Sequence, residues 1–248
     1  MTEHGVPDAR RADLAAALAS VSERIRTACR EAGRPEDEVE LLAVTKYRPA
    51  SDVALLLDLG LRGFGENRPQ EAAAKVPEVA ALRPEVDARW HQVGRLQRNK
   101  ARSVAEWAFR VESVDSERLV DALDAAVTRA LDGGERSERL SVLLQLSLDG
   151  DPQRGGVVSN ERDALAERVM ASEALELHGV MAVAPLNTDP DRAFASLEEA
   201  SGRLRSQYPH ARVISAGMTA DLERAIRFGS TCVRVGTALL GDRRLTSP

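Results

Sequence analysis

From Asp8 to about Ala32 the residues Leu14, Leu18, Val21 and Ile25 recur at spacings of four, three and four, the stripe that one buried face of an amphipathic helix requires. Gly33 and Pro35 then mark its end. Beyond them short apolar runs alternate with helical stretches, a rhythm that predicts parallel strands joined by crossover helices. Eight such runs occur. The first four are ELLAVTK (Glu40–Lys46), GFGE (Gly63–Glu66), RWHQVG (Arg89–Gly94) and AFRVES (Ala108–Ser113). The others are LSVLLQLSL from Leu140, LHGVMAVA from Leu177, ARVISAG from Ala211 and TCVRVGT from Thr231. Between them, segments such as SERLVDALDAAVTRAL from Ser116 carry helical periodicity.

Eight repeats predict closure into a single (β/α)8 TIM barrel, an α/β fold, over about residues 40–241, with an extra N-terminal helix over about 8–33. An open doubly wound sheet is the competitor, but it usually carries a glycine-rich dinucleotide turn after an early strand, and no G-x-G-x-x-G occurs here. The stretches DGGERSE (Asp132–Glu138) and DGDPQRGG (Asp149–Gly156) read as loops, so residues 1–248 are expected to form one domain.

Composition narrows the partners. With Lys plus Arg at 34 and Asp plus Glu at 39, the net charge of −5 provides no global field for nucleic acid, and 3% aromatic residues offer few rings for stacking bases. No run approaches the roughly 18 apolar residues that cross a bilayer, and the first residues lack the apolar core of a secretory signal. Cys29 and Cys232 are far apart and lack the spacing of metal sites or redox pairs, so a reduced, cytoplasmic setting without membrane or nucleic-acid partners is expected. His4, His178 and His210 have no second ligand at metal spacing and read as incidental.

In a barrel of this kind chemistry belongs at the C-terminal ends of the strands. Polar or special residues stand there: Lys46 on the first strand, Glu66 and Asn67 on the second, His91 within the third and Glu112 on the fourth. Lys46 follows an apolar run, and a lysine at such a mouth can form a Schiff base with a carbonyl compound. A solvated lysine whose stem packs on apolar surface explains the segment equally well. Further along, ISAGMTADLERAI (Ile214–Ile226) reads as strand, glycine turn and helix start, where amides and the hydroxyls of Ser215 and Thr219 fit a phosphate. The open amides of Gly236 and Thr237 after the last strand fit the same phosphate, as in the phosphate sites that recur after strands seven and eight of barrels. Ordinary turn chemistry is the plain alternative. Arg234, two residues before Gly236, lies on the same strand face and equally fits an arginine paired with a core carboxylate.

The segments AVTK, GFGENRPQE, WHQVGRLQRNK and GMTADLERAIRFGSTCVRVGTALLG, in this order over about Leu41 to Gly241, resemble the pyridoxal phosphate homeostasis protein family. Its members are single-domain barrels that bind pyridoxal 5'-phosphate (PLP) and are similar to the barrel of alanine racemase. The resemblance implies that Lys46 carries PLP as a Schiff base and that Arg234 faces the pyridine nitrogen. It places Ser215, Thr219, Gly236 and Thr237 around the phosphate, with Asn67 and His91 near the cofactor. A guanidinium is permanently protonated, so it donates to that nitrogen without making it pyridinium, which weakens the ring as an electron sink.

Some positions depart from the family's common pattern. Arg95 stands where histidine is frequent, and Ala216 and Thr219 replace residues of a frequent SMGMS; threonine keeps the hydroxyl. The basic run Arg95, Arg98, Lys100 and Arg102 reads as a solvated helix face or as a contact for an anionic partner. The chain ends a few residues after the last strand, and of its two tyrosines only Tyr47 stands beside the lysine, so little is present to serve as a racemase's second base. The expectation is a monomeric, non-catalytic PLP carrier or regulator that maintains intracellular PLP homeostasis and supplies PLP-dependent apo-enzymes. A PLP-dependent amino-acid racemase, a Schiff-base aldolase and a ligand-free scaffold are the alternatives.

Overall fold

Polar and apolar positions alternate along most strands, and the fold turns that alternation into a barrel with an apolar outside and a polar inside. The computed structural model describes residues 5–151, 155–158, 161–185 and 188–241; His4 and part of the DGDPQRGG segment lie outside them. Strands β1 (Glu40–Val44), β2 (Gly63–Glu66), β3 (Arg89–Gln92) and β4 (Arg110–Val114) are followed by β5 (Leu140–Gln145), β6 (Leu175–Met181), β7 (Val213–Ser215) and β8 (Cys232–Val235). All pair in parallel in chain order, and β1 closes the barrel on β8 with Leu42 opposite Arg234.

Helix α1 (Gly5–Glu31) precedes the barrel. The crossovers carry α2 (Ala50–Asp58), α3 (Pro69–Leu82), α4 (Ala101–Trp107), α5 (Glu117–Asp132), α6 (Arg162–Met170), α7 (Pro190–Gln207) and α8 (Leu222–Arg227), and α9 (Thr237–Leu240) follows β8. Outward residues such as Leu41, Phe64, Trp90 and Val233 share one core with Leu14 of α1 and Val53 of α2. Val111, Val142 and Leu144 share a second with Leu119, Leu123 and Val127, the apolar stripe of α5. Each such fully buried leucine or valine contributes about 1.5–3 kcal/mol relative to exposure.

The N-terminal helix ends as its sequence predicts. Gly33 adopts φ +67, and its N–H and that of Arg34 return to the carbonyls of Arg30 and Cys29. Its place in the fold was not predictable from periodicity: α1 lies against α8, α9 and α2, pairing Arg24 with Glu223 of α8 at 2.7 Å and Arg10 with Asp52 of α2 at 2.7 Å.

Several strands are shorter than their apolar runs, and two of them stop at glycines. RWHQVG stops as β3 at Gln92, because the chain at Gly94 passes so close to Asn67 that a Cβ there would lie 2.4 Å from the Asn67 carbonyl oxygen. ARVISAG contributes only Val213–Ser215 to β7, since Gly217 at φ +91 turns the chain away. No helix among the described residues is long and apolar enough to cross a membrane.

Candidate functional site

Strand β1 ends at Val44, and the next residue, Thr45, is still buried, its N–H bonded to the Gly65 carbonyl at 3.0 Å. Lys46 then begins an exposed turn in which Tyr47 takes φ 62 and the Arg48 N–H returns to the Thr45 carbonyl at 3.0 Å. The lysine therefore stands just beyond the buried strand, at the rim, and bears no full desolvation cost. The chain holds three lysines, Lys46, Lys75 and Lys100. The Lys46 amine has no hydrogen bond or ion pair among the described residues, whereas Lys75 is buried and fully engaged.

Lys75 supports that turn from below. Its Nζ donates to the Thr45 carbonyl at 2.8 Å and to Glu66 Oε1 at 2.7 Å, and lies 3.2 Å from Glu71 Oε1. Glu71 in turn accepts the backbone N–H of Tyr47, and the Thr45 hydroxyl donates to Glu66 at 2.7 Å. The residues on either side of Lys46 are thus tied to α3 and β2. Burial pushes the Glu66 carboxyl above its usual pKa, against the opposing pull of the Lys75 hydrogen bond and charge and of Thr45. Lys75 was absent from the sequence-predicted set; a lysine at that position of an amphipathic helix gives no signal of its destination.

Inside the barrel a second set of polar residues joins strands that are not neighbours. Ser215 Oγ on β7 donates to Glu112 Oε2 on β4 at 2.6 Å, a bond that must cross the lumen. Glu112 Oε1 accepts from His91 Nδ1 at 2.7 Å, and Arg234 Nη1 lies 3.9 Å from Oε2. Arg234 also donates through Nη1 to the Ser215 carbonyl and hydroxyl, both at 2.7 Å, and through Nη2 to the Ala182 carbonyl at 2.8 Å. Burial favours the neutral form of Glu112, but the His91 hydrogen bond and charge, Arg234 and Ser215 together outweigh it and hold its pKa below the ordinary glutamate value. His91 is fully buried and its Nε2 has no hydrogen-bond partner among the described residues. An orphaned polar atom here suits a site that takes a polar ligand.

Below this layer Arg110 donates to Ser141 Oγ at 2.9 Å and approaches His178 Nδ1 at 3.4 Å, closing the floor of the barrel. His178 is thus a structural residue of that floor. Burial and then the Arg110 charge lower its pKa.

At the mouth, the loops after β7 and β8 are adjacent, since the Arg234 N–H bonds to the Gly217 carbonyl at 2.9 Å. The pairing of Ala43 with Val235 sets Gly236 beside β1, where a Cβ on Gly236 would be 3.4 Å from the Val44 carbonyl oxygen. Gly236, Thr237 and the turn carrying Lys46 therefore occupy one side of the rim. The N–H groups of Thr219, Gly236 and Thr237, and the Thr237 hydroxyl, have no hydrogen-bond partner among the described residues. Arg24 of α1 donates to the Thr219 carbonyl at 2.8 Å, fixing this loop from the N-terminal helix. The Met218 N–H is already taken by Asp221 at 2.6 Å, and helix α8 begins only at Leu222.

Of the eight residues selected from sequence, Lys46, Thr219, Gly236 and Thr237 lie around the rim and Arg234 lies directly below. His91 and Ser215 are buried within the lumen, and Asn67 stands half-buried after β2. The Ser215 hydroxyl faces Glu112 and Arg234 in the interior rather than the open loop. Glu112 was visible in the sequence only as a polar strand end.

Residues 17–244 match the sequence pattern of the family described as alanine racemase, N-terminal domain. A protein of Mycobacterium tuberculosis named pyridoxal phosphate homeostasis protein is 51% identical over 251 residues, covering 98% of this chain and 97% of the relative. The chain belongs to the pyridoxal phosphate homeostasis protein family. The member of this family in Escherichia coli is 36% identical over 234 residues, covering 93% of this chain and 97% of its own. Among solved structures, PipY of Synechococcus elongatus with PLP bound superposes with a TM-score of 0.76 at 32% identity, over 92% of this chain and 100% of its own. The relatives carry names of homeostasis proteins rather than of enzymes.

Proposed function

We propose that this protein binds PLP through Lys46 and maintains intracellular PLP homeostasis as a carrier without turnover of its own. The observation that carries the reading is the placement of Lys46. Of the two lysines without a partner among the described residues, Lys46 and Lys100, it is Lys46 that stands on the side of the rim that carries the unpaired amides of Gly236 and Thr237. The PLP found in the Synechococcus relative supports the choice of ligand.

The residues fit the group in three respects. Lys46 would supply the amine that holds the aldehyde carbon. Thr219, Gly236 and Thr237 present donors for the phosphate. Arg234, held flat by the carbonyls of Ser215 and Ala182, presents a fixed donor for the pyridine nitrogen, and Ser215 acts through it. Asn67 and His91 complete the surround, the latter with a free ring nitrogen. When bound, PLP supplies an electrophilic carbon that another amine can attack, which makes holding and release reversible.

Arg234 also argues against turnover. A guanidinium donates to the ring nitrogen without making it pyridinium, which weakens the ring as an electron sink. Glu112, the one carboxylate among the described residues within ion-pair reach of it, is itself committed to His91 and Ser215. We place the protein in the cytoplasm as a monomer that exchanges the cofactor with PLP-dependent apo-enzymes; both cysteines are buried free thiols, in keeping with a reducing setting.

Two measurements test this. The PLP-loaded protein absorbs in the visible near-ultraviolet, and Lys46→Ala abolishes that band; an unchanged band refutes the assignment. Incubated with L-amino acids in deuterated water, the loaded protein leaves the α-hydrogen unexchanged. Rapid exchange establishes an enzyme instead.

A further inference from the structure

Beside the mouth, on the loops after β2, β3 and β4, the surface opens into a groove of about 1160 Å³ that shares only Asn67 with the proposed PLP site. Five cations line it, Arg68, Arg95, Arg98, Lys100 and Arg118, against a single carboxylate, Asp115. Among the described residues Asp115 reaches only Arg95, at 4.0 Å, and Arg68 lies over the Tyr47 ring at 5.2 Å. Arg98, Lys100 and Arg118 have no ion-pair partner among the described residues. Elsewhere some surface arginines are paired, as Arg26 is with Glu23 and Arg168 with Asp121, and others such as Arg11 and Arg129 have no ion pair among the described residues; the groove differs in gathering five cations in one place. The concentration is the more notable in a chain whose net charge is −5.

The backbone adds to the field. Helices α3 and α5, of 14 and 16 residues, both begin at the groove, and neither N-cap, Arg68 or Ser116, turns its side chain back onto the first amides. Their positive ends reinforce the side-chain charges. Desolvated or not, five cations with one acid among them repel one another, a cost that a bound anion removes.

We infer that this groove docks an acidic polypeptide segment presented by a partner protein. Four side-chain amides, of Asn67, Gln70, Gln97 and Asn99, share the lining and can pair with peptide N–H and C=O groups as well as with carboxylates. No aromatic side chain lines the groove, so a nucleobase has no ring to stack on, which disfavours nucleotides and single-stranded nucleic acid. Its open, extended form exceeds what a lone phosphate requires. The position next to the rim puts a docked partner beside Lys46, where a cofactor leaves or enters. The inference rests on the groove alone and stands whether or not Lys46 carries PLP.

The test uses the full chain and a fluorescein-labelled oligoglutamate peptide, followed by fluorescence anisotropy. Saturable binding that weakens steeply with added salt is expected. The double substitution Arg98→Glu with Arg118→Glu, both exposed and unpaired, should weaken it about tenfold or more. Arg203→Glu on the outer face of α7 should leave it unchanged, and so should Lys46→Ala, which separates failure here from failure of the PLP reading. Thermal melts of the variants matching the parent confirm that the fold is intact. The inference is overturned by absence of binding, by equal affinity in the double variant, by tighter binding of a single-stranded oligonucleotide, or by full displacement with equimolar inorganic pyrophosphate.

Discussion

The Nζ of Lys75 donates to the carbonyl of Thr45 at 2.8 Å, one residue before Lys46. That bond, with the Lys75–Glu66 pair at 2.7 Å, makes a buried lysine the support of the exposed one. Lys75→Met removes one partner of a buried pair and leaves Glu66 uncompensated, so urea unfolding should show a loss of about 3 kcal/mol or more. The double variant Lys75→Met with Glu66→Leu should recover much of it. If Lys75→Met alone unfolds at the parental midpoint, the support is not real.

The central carboxylate predicts a pH dependence. A carboxyl whose folded pKa is lowered contributes stability that is fully present above its unfolded value, near the ordinary 4.5, and is lost as the pH falls through the folded value. Glu112→Gln removes that contribution. The stability gap between parent and variant should therefore be widest near neutrality and narrow as the pH drops below about 4.5. Glu66, whose pKa moves upward, works in the opposite direction, so the parent's curve alone mixes the two. A gap that is constant from neutral to acid pH contradicts the assignment of an ionised Glu112.

Gly217 carries the turn that brings the loop after β7 against Arg234. Its φ of +91 strains any other residue, and a Cβ there would lie 2.6 Å from the Cβ of Ala225. Gly217→Ala should cost about 2–4 kcal/mol in denaturant unfolding and weaken PLP binding with it. Gly202→Ala, where nothing stands within 4 Å, is the matching control and should be neutral or slightly stabilising.

Arg24 links the N-terminal helix to the same loop through the Thr219 carbonyl. Its ion pair with Glu223 is partly exposed, so Arg24→Ala should lower stability by only about 0.5–1 kcal/mol. PLP affinity, measured by spectral titration, should fall by several-fold, because the loop loses its fixed position. Affinity unchanged at equal stability would make α1 packing alone.

The barrel was legible because outward apolar residues repeat once per strand–helix unit, and eight such units appear in order between Glu40 and Val235. The rim was legible for a similar reason: Lys46, Gly236 and Thr237 stand where strands end, and strand ends in a barrel meet. The lumen was not. Ser215 reads as a hydroxyl free for a ligand until the fold places Glu112 against it from the opposite wall, and no local pattern records a contact across 103 residues. Lys75 and Arg24 sit on helices whose periodicity gives a face but not what lies opposite it. The basic run after β3 fits a solvated face in one dimension; Arg118, from the start of α5, converts it into a groove.

The central claim concerns which amine meets the aldehyde. The protein incubated with PLP, reduced with borohydride and digested should yield one modified peptide, and its sequence should place the adduct on Lys46 and show none in Lys46→Ala. An adduct on Lys75 or Lys100, or one that persists in Lys46→Ala, contradicts the account.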